Sequence, residues 1–75
     1  MYYKKHIERN PEIMLGKPVI KGTRITIELI MRKLADGYSI NDLLKSYPHL
    51  EKRQIFAALE YAADMIANEE ILETA

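Results

Sequence analysis

Hydrophobic residues in the second half of the chain recur with the period of an α-helix. Starting at Ile27, they follow at intervals of three, four and seven residues, which places them on one face of a helix. Thr26, directly before them, is a favoured N-cap residue, and Gly37, shortly after the last of them, is the residue type that most readily ends a helix. The pattern predicts a first helix between Thr26 and Gly37.

Ser39 and Asp42 resemble a capping box and predict the start of a second, short helix. This helix is expected to end before Pro48, because the residue that precedes a proline is displaced from helical backbone angles. A third and longest helix is predicted over residues 52–68. Its predicted buried side consists of Ile55, Phe56, Leu59, Ala62, Ala63 and Ile66.

The first 25 residues contain most of the prolines and glycines, a pattern that predicts short extended pieces joined by turns. A strand is predicted over residues 2–7, where Tyr and Ile favour a half-buried sheet. The predicted fold class is α+β and mostly α: a short N-terminal β segment (residues 1–25) followed by a three-helix, helix-turn-helix-like bundle (residues 26–68). Residues 69–75 are expected to form a tail that frays. A chain of 75 residues has the size of a single domain.

The amino-acid composition excludes several classes of function. The chain contains no cysteine, which excludes structural disulfides and thiolate chemistry. It has no apolar run approaching the roughly eighteen residues of a membrane-spanning helix, and no signal-peptide pattern at its start. We therefore expect a cytoplasmic protein that does not contact a membrane.

Charge is divided unequally along a chain whose net charge is zero. All eleven Lys and Arg residues and six of the eleven acids lie in residues 1–53, which carry a net charge of +5, whereas residues 54–75 hold five acids and no base. This asymmetry favours an anionic partner for the front of the chain and a different, basic partner for its acidic end. The alternative is that these charges only solvate the faces of helices.

The start of the third helix is a candidate DNA-binding site. In a helix-turn-helix the first residues of the recognition helix contact base edges, and here they are Lys52, Arg53 and Gln54. Phosphate contacts are predicted from the two preceding helices, through Lys45, Arg32 and Lys33. The competing interpretation is an exposed helix start with ordinary charges.

The segment from Gly16 to Arg24 does not match a phosphate-binding loop, because its glycine spacing and residue order differ from that motif. Its glycines are expected to serve turns. Arg24 is expected to form a buried or half-buried ion pair with an acid of a helix, such as Glu28 or Asp42. Alternatively, Arg24 projects into the acidic catalytic pocket of a partner protein.

The sequence indicates neither catalysis nor metal binding. Its two histidines, His6 and His49, are far apart, and no carboxylate stands at ligand spacing to either on a shared helix face. The acids are scattered over positions predicted to be exposed. We therefore expect no cofactor, no metal and no enzymatic activity.

Several short motifs occur in the same order as in one known family. They are Gly16-Lys17-Pro18-Val19-Ile20-Lys21-Gly22-Thr23-Arg24-Ile25, Gly37, Tyr47-Pro48-His49-Leu50, Ala57-Ala58-Leu59 and Tyr61-Ala62. In these motifs the chain resembles the domain-of-unknown-function family numbered 433, over about residues 7–63. The positions that carry the structural motif are Gly16, Pro18, Gly22, Thr23, Arg24, Gly37, Tyr47 and Pro48.

This resemblance implies a short β segment, a homeodomain-like helical bundle and a role as an antitoxin. Such a protein pairs with a PIN-like ribonuclease toxin and binds its own promoter DNA. The chain departs from the family at the N-cap of the third helix, where Glu51 replaces the usual Thr or Ser and places a negative charge near an approaching phosphate. The tail after Ala63 lies outside the family pattern.

Two predictions about partners follow. The acidic end is the predicted toxin-binding surface, with Arg24 as the alternative contact. Its residues are Glu60, Asp64, Glu69, Glu70, Ile71 and Leu72. A homodimer is predicted because the chain is small and its tyrosine-rich N-terminus would present an unpaired strand edge. The alternative functions are a small protein-interaction module that does not bind DNA and, from the enzyme class, a small hydrolase.

Overall fold

The computed structural model describes the backbone of residues 2–69 and the side chains of residues 4–68. Within that range, two short strands precede three helices. The strands are β1 (Ile7–Glu8) and β2 (Val19–Ile20), with 3-10 turns at Tyr2–Lys5 and Met14–Gly16. The helices are α1 (Ile27–Ala35), α2 (Ile40–Ser46) and α3 (Lys52–Glu69). This architecture confirms the predicted α+β, mostly α class.

The sheet is a two-stranded antiparallel pair in which Ile7 lies opposite Ile20. Residues 2–5 form a 3-10 turn and not a strand, so the predicted strand over residues 2–7 is wrong except at its last residue. The partner strand explains the difference. In this register residues 2–5 would pair with positions 22–25, but Gly22 turns the chain at φ +81°, so β2 ends at Ile20 and offers residues 2–5 no partner. The turn at Tyr2–Lys5 packs against α3 instead.

Side-chain caps fix the starts of α1 and α2, as their sequences predict. Thr26 Oγ1 accepts a hydrogen bond from Leu29 N at 3.0 Å, and Thr26 also forms a β-bridge with Val19, which ties α1 to the sheet. Ser39 and Asp42 form a complete capping box at the start of α2. α1 ends at a turn in which Gly37 adopts φ +100°, a conformation that glycine takes without steric cost.

The core lies where β2 meets all three helices. It is built from Ile20, Ile27, Ile30, Leu43, Leu50, Ile55 and Ala58. Ala57 is also fully buried on α3, and Tyr61 packs partly against the core. The small alanines allow α3 to approach the other helices closely.

The buried side of α3 is only partly as predicted. Ile55 is fully buried and Ala62 half-buried, but four of the six predicted core residues are exposed: Phe56, Leu59, Ala63 and Ile66. Apolar residues cover most of the circumference of this helix, so its periodicity does not single out one buried side. The fold turns the alanine-rich side inward and leaves a second apolar face outward.

Candidate functional site

The turn between α2 and α3 meets the loop that follows β2 and forms a pocket of about 250 Å³ with a largely apolar lining. Its walls are Thr23, Ile25, Ser46, Tyr47, Pro48, His49 and Leu50. Two segments more than twenty residues apart in sequence therefore build one site. Both belong to the motifs that carry the family resemblance.

Local hydrogen bonds hold both walls of the pocket. Thr23 Oγ1 donates to Ile20 O at 2.8 Å and accepts from Ile25 N at 3.0 Å, which closes the loop after β2. On the other wall, Leu50 N donates to Tyr47 O at 2.8 Å across the turn. The pocket is thus preformed by short-range bonds and by burial of Leu50 in the core.

Arg24 lies on the same loop and is exposed. The expected ion pair with Glu28 or Asp42 is wrong for the described structure, because both acids are engaged elsewhere. Glu28 binds Lys17 at 3.0 Å and Arg32 at 3.1 Å, and Asp42 caps α2. The side chain of Arg24 therefore projects from the loop beside the pocket.

The three predicted base-reading residues begin α3 and remain together on its first turn. Lys52 is exposed. Arg53 Nε binds Glu51 Oε1 at 2.7 Å, and Gln54 Oε1 accepts a hydrogen bond from Glu51 N at 2.8 Å. Gln54 thereby caps the helix that lacks a Ser or Thr N-cap, while its side-chain amide N–H groups can still donate.

The predicted phosphate-contacting residues have different surroundings. Lys45 is exposed near the end of α2, close in sequence to the turn. Lys33 Nζ lies 4.7 Å from the centre of the Tyr38 ring, a cation–π contact. Arg32 is bound to Glu28. Lys17, the larger cause, and Arg32 together lower the pKa of the Glu28 carboxyl from its ordinary value. Lys45 therefore has the most open position of the three.

The acidic end is described only in part. Glu60 is exposed, whereas Asp64 is half-buried and its Oδ2 has no hydrogen-bond partner among the described residues. The side chain of Glu69 and the predicted contacts Glu70, Ile71 and Leu72 lie outside the described residues.

The sequence interpretation missed an exposed apolar face on α3. The exposed fractions are 46% for Phe56, 37% for Leu59 and 66% for Ile66, and Ala63 is also exposed. These positions fall on one side of the helix, and we call them the α3 stripe. A signal was present in the sequence, because α3 has more apolar positions than one buried face can hold.

Among the residues described, His, Cys, Asp and Glu form no group of three or more that could hold a metal ion. The helices within residues 2–69 include none that is long and apolar enough to span a bilayer.

Together the short antiparallel sheet and the three helices define a small, mostly helical α+β domain. The profile of the family described as "Protein of unknown function (DUF433)" matches residues 7–62, and the chain belongs to that family.

Two relatives illustrate the likeness. "Uncharacterized protein y4eO" of Sinorhizobium fredii (strain NBRC 101917 / NGR234) is 32% identical over 56 residues, which are 75% of this chain and 25% of that protein. The crystal structure of a DUF433 member protein from Anabaena variabilis ATCC 29413 matches with a TM-score of 0.74 and 27% identity, over 84% of this chain and 65% of that one. The chain thus spans about a quarter of the length of the curated relative.

Proposed function

We propose that this protein is the antitoxin of a two-protein system, that it binds promoter DNA through α2 and α3, and that it neutralises a PIN-like ribonuclease. The observation that carries the proposal is the exposed basic start of α3, placed after α2 by a short turn, with exposed Lys45 and Lys52 on either side of that turn. The chain itself has no catalytic role in this proposal. The pair acts in the cytoplasm, and the antitoxin acts as a homodimer.

DNA contact is confined to the first turn of α3. Beyond that turn the outward side of the helix carries Glu60, whose carboxylate repels the phosphates that line a DNA groove. The first turn instead reaches base edges with Arg53 and the amide group of Gln54. Lys45 neutralises a phosphate from the end of α2.

The ribonuclease would be bound by the acidic end. A PIN-like enzyme must attract RNA, so its substrate-binding surface is basic and complementary to Glu60 and Asp64. Covering that surface excludes RNA without entry into the catalytic pocket. The competing contact is Arg24, whose exposed guanidinium group has the charge and reach to enter an acidic catalytic pocket.

A mobility-shift titration with the duplex upstream of the protein's own gene tests the DNA-binding part. We expect affinity to fall steeply as salt rises, because bound phosphates release counterions. Arg53→Ala is expected to lower affinity by about 5-fold to 150-fold and to relax sequence preference, and Lys45→Ala to reduce the salt slope by about 1. Arg9→Ala, an exposed cation that follows β1, is the matched control. Absence of salt-dependent binding by the wild type contradicts the proposal.

The pocket favours a second candidate, a protein-interaction module that does not bind DNA. Its volume of about 250 Å³ and apolar lining fit one large apolar side chain of a partner, and exposed Arg24, on the loop beside the pocket, can bind an adjacent acid. A bulkier Ser46→Leu change, at a lining residue that makes none of the hydrogen bonds of the pocket walls, is expected to fill the pocket and weaken capture of the ribonuclease. If DNA binding is absent and this change abolishes capture, the second candidate replaces the first.

A further inference from the structure

The α3 stripe is an exposed apolar feature of the described surface that the core does not use. Exposed apolar side chains scattered singly are ordinary on a small protein, but here four lie along one side of a single helix. They are spaced three, four and three residues apart, from Phe56 to Ile66, which is the spacing of a helix-pairing seam. The stripe therefore has the form of a surface that pairs with another helix.

The order of side chains in the stripe fits a second copy of itself in antiparallel orientation. When two α3 helices pair about a two-fold axis at position 61, Phe56 of each copy lies level with Ile66 of the other. In the same register Leu59 lies level with Ala63. Large side chains then face smaller ones, which allows the two helices to interdigitate. A single position of the two-fold axis therefore aligns both pairs of side chains.

The distribution of charge along α3 also favours the antiparallel orientation. The first turn of α3 carries Lys52 and Arg53, whereas residues 54–75 contain acids and no base. In a parallel pair the acidic ends of both copies would lie side by side and repel one another. The antiparallel register instead places Arg53 level with position 69, the last residue of α3 and a glutamate in the sequence. The helix dipoles also oppose each other favourably in this orientation.

We propose that the protein self-associates through the α3 stripe as an antiparallel, two-fold symmetric pair. The inference rests on the homodimer of the proposed function and assigns its surface. It also changes the predicted dimer surface. The sequence predicted pairing through an N-terminal strand edge, but residues 2–5 form a 3-10 turn and offer no such edge. The two first turns of α3 lie at opposite ends of the pair, about 27 Å apart at 1.5 Å per residue.

The stripe is small compared with the roughly 1,600 Å² of a standard stable interface. We therefore expect association at micromolar and not nanomolar concentrations. Sedimentation equilibrium from about 5 to 500 µM is expected to show a reversible monomer–dimer transition. Phe56→Ser and Ile66→Ser are expected to weaken it at least tenfold while circular dichroism stays unchanged, because both side chains are exposed. Leu15→Ser, which alters an apolar residue with 93% exposure away from α3, is the control.

Orientation is tested by crosslinking, which the absence of native cysteine makes specific. Phe56→Cys and Ile66→Cys proteins are mixed and treated with a short bis-maleimide. We expect crosslinked heterodimers in the mixture and little product from either variant alone, since identical positions lie about 15 Å apart along the axis. Efficient crosslinking of Phe56→Cys alone overturns the antiparallel register, and a monomer at the highest concentration overturns the inference. A dimer insensitive to both serine variants overturns this surface but leaves the proposed homodimer and DNA binding intact.

Discussion

Glu51 and Arg53 form an ion pair at the start of α3, with 2.7 Å between Oε1 and Nε. Both side chains are more than half exposed, so the pair contributes little to the stability of the fold. Its consequence is electrostatic, because it sets a carboxylate beside the guanidinium group that the proposed function brings to DNA. Glu51 is thus expected to oppose phosphate binding and to limit non-specific affinity.

We expect Glu51→Gln to increase affinity for duplex DNA several-fold at low salt, with a smaller increase at high salt where charges are screened. This variant keeps the N-terminal cap of α3, because Gln54 Oε1 accepts a hydrogen bond from the backbone N–H of residue 51 and does not depend on its carboxylate. Mobility shifts at three salt concentrations measure the effect. Glu12→Gln, at another exposed acid, is the control. Equal affinity of Glu51→Gln and the wild type shows that this carboxylate does not face DNA.

The capping box of α2 predicts a pH effect on stability. The backbone N–H of Ser39 donates to Asp42 Oδ2 at 2.9 Å, and this bond, with a further one from Ser39, holds the pKa of Asp42 below its ordinary value of 3.8. Because the folded state has the lower pKa, the stabilisation is complete above about pH 4 and is lost as the pH falls through the folded-state pKa. Asp42→Asn is expected to be less stable than the wild type at pH 6 and to lose less stability on acidification.

Urea unfolding at several pH values measures this difference. Asp36→Asn, which changes an exposed acid at the end of α1, serves as control and is expected to follow the wild-type pH dependence. An Asp42→Asn profile with the wild-type acid slope would show that the capping box does not stabilise the carboxylate.

The helix boundaries were predictable because they are encoded locally. Thr26, Ser39 and Pro48 act through their own or adjacent backbone, and each does in the structure what its residue type favours. The sequence could not show that residues 2–5 avoid the sheet, since that depends on the two-residue length of a distant partner strand. Nor could it show which apolar side of α3 is buried, because tertiary packing decides it by burying Ala57 and by placing Ala58 in the core.

The 3-10 turn at Met14–Gly16 stores backbone strain at Leu15. This residue has φ 59° and ψ 30°, a left-handed conformation that costs about 1 to 2 kcal/mol because Cβ crowds the following carbonyl oxygen, and its side chain is 93% exposed. We expect Leu15→Gly to raise the free energy of unfolding by about 0.5 to 1 kcal/mol, after the added flexibility of the unfolded chain is subtracted. Leu15→Ala, which keeps the strain and removes the side chain, is expected to change stability little. Thermal unfolding distinguishes the two, and a destabilised glycine variant contradicts the assignment of strain.

The basic residues of the candidate site could be predicted from the sequence, but their spatial arrangement could not. The basic first turn of α3 is where the helix-turn-helix spacing placed it, and Lys45 is exposed as expected. The partners of Arg24 were predicted incorrectly, because Glu28 binds two other cations, Lys17 and Arg32, and Asp42 caps α2. The pocket joins Thr23 to Pro48 through tertiary packing, which no local pattern reveals.

Two variants separate the two routes to toxin neutralisation. Truncation after Asn68 removes Glu69, Glu70, Ile71 and Leu72 from the sequence, and it is expected to weaken inhibition of the ribonuclease if the acidic end provides the docking surface. Arg24→Ala leaves the acidic end intact and breaks no ion pair among the described residues.

We expect the truncated protein to inhibit less and Arg24→Ala to inhibit at full strength, because a complementary charged surface attracts the basic face of the enzyme over a wide area. Ribonuclease activity on a labelled RNA, titrated with each antitoxin variant, measures this, and circular dichroism confirms that each variant is folded. The reverse result assigns inhibition to Arg24 as a cation inserted into the acidic catalytic pocket. If truncation has no effect, only the helix acids remain, and Glu60→Gln with Asp64→Asn must then reduce inhibition for the acidic surface to be retained.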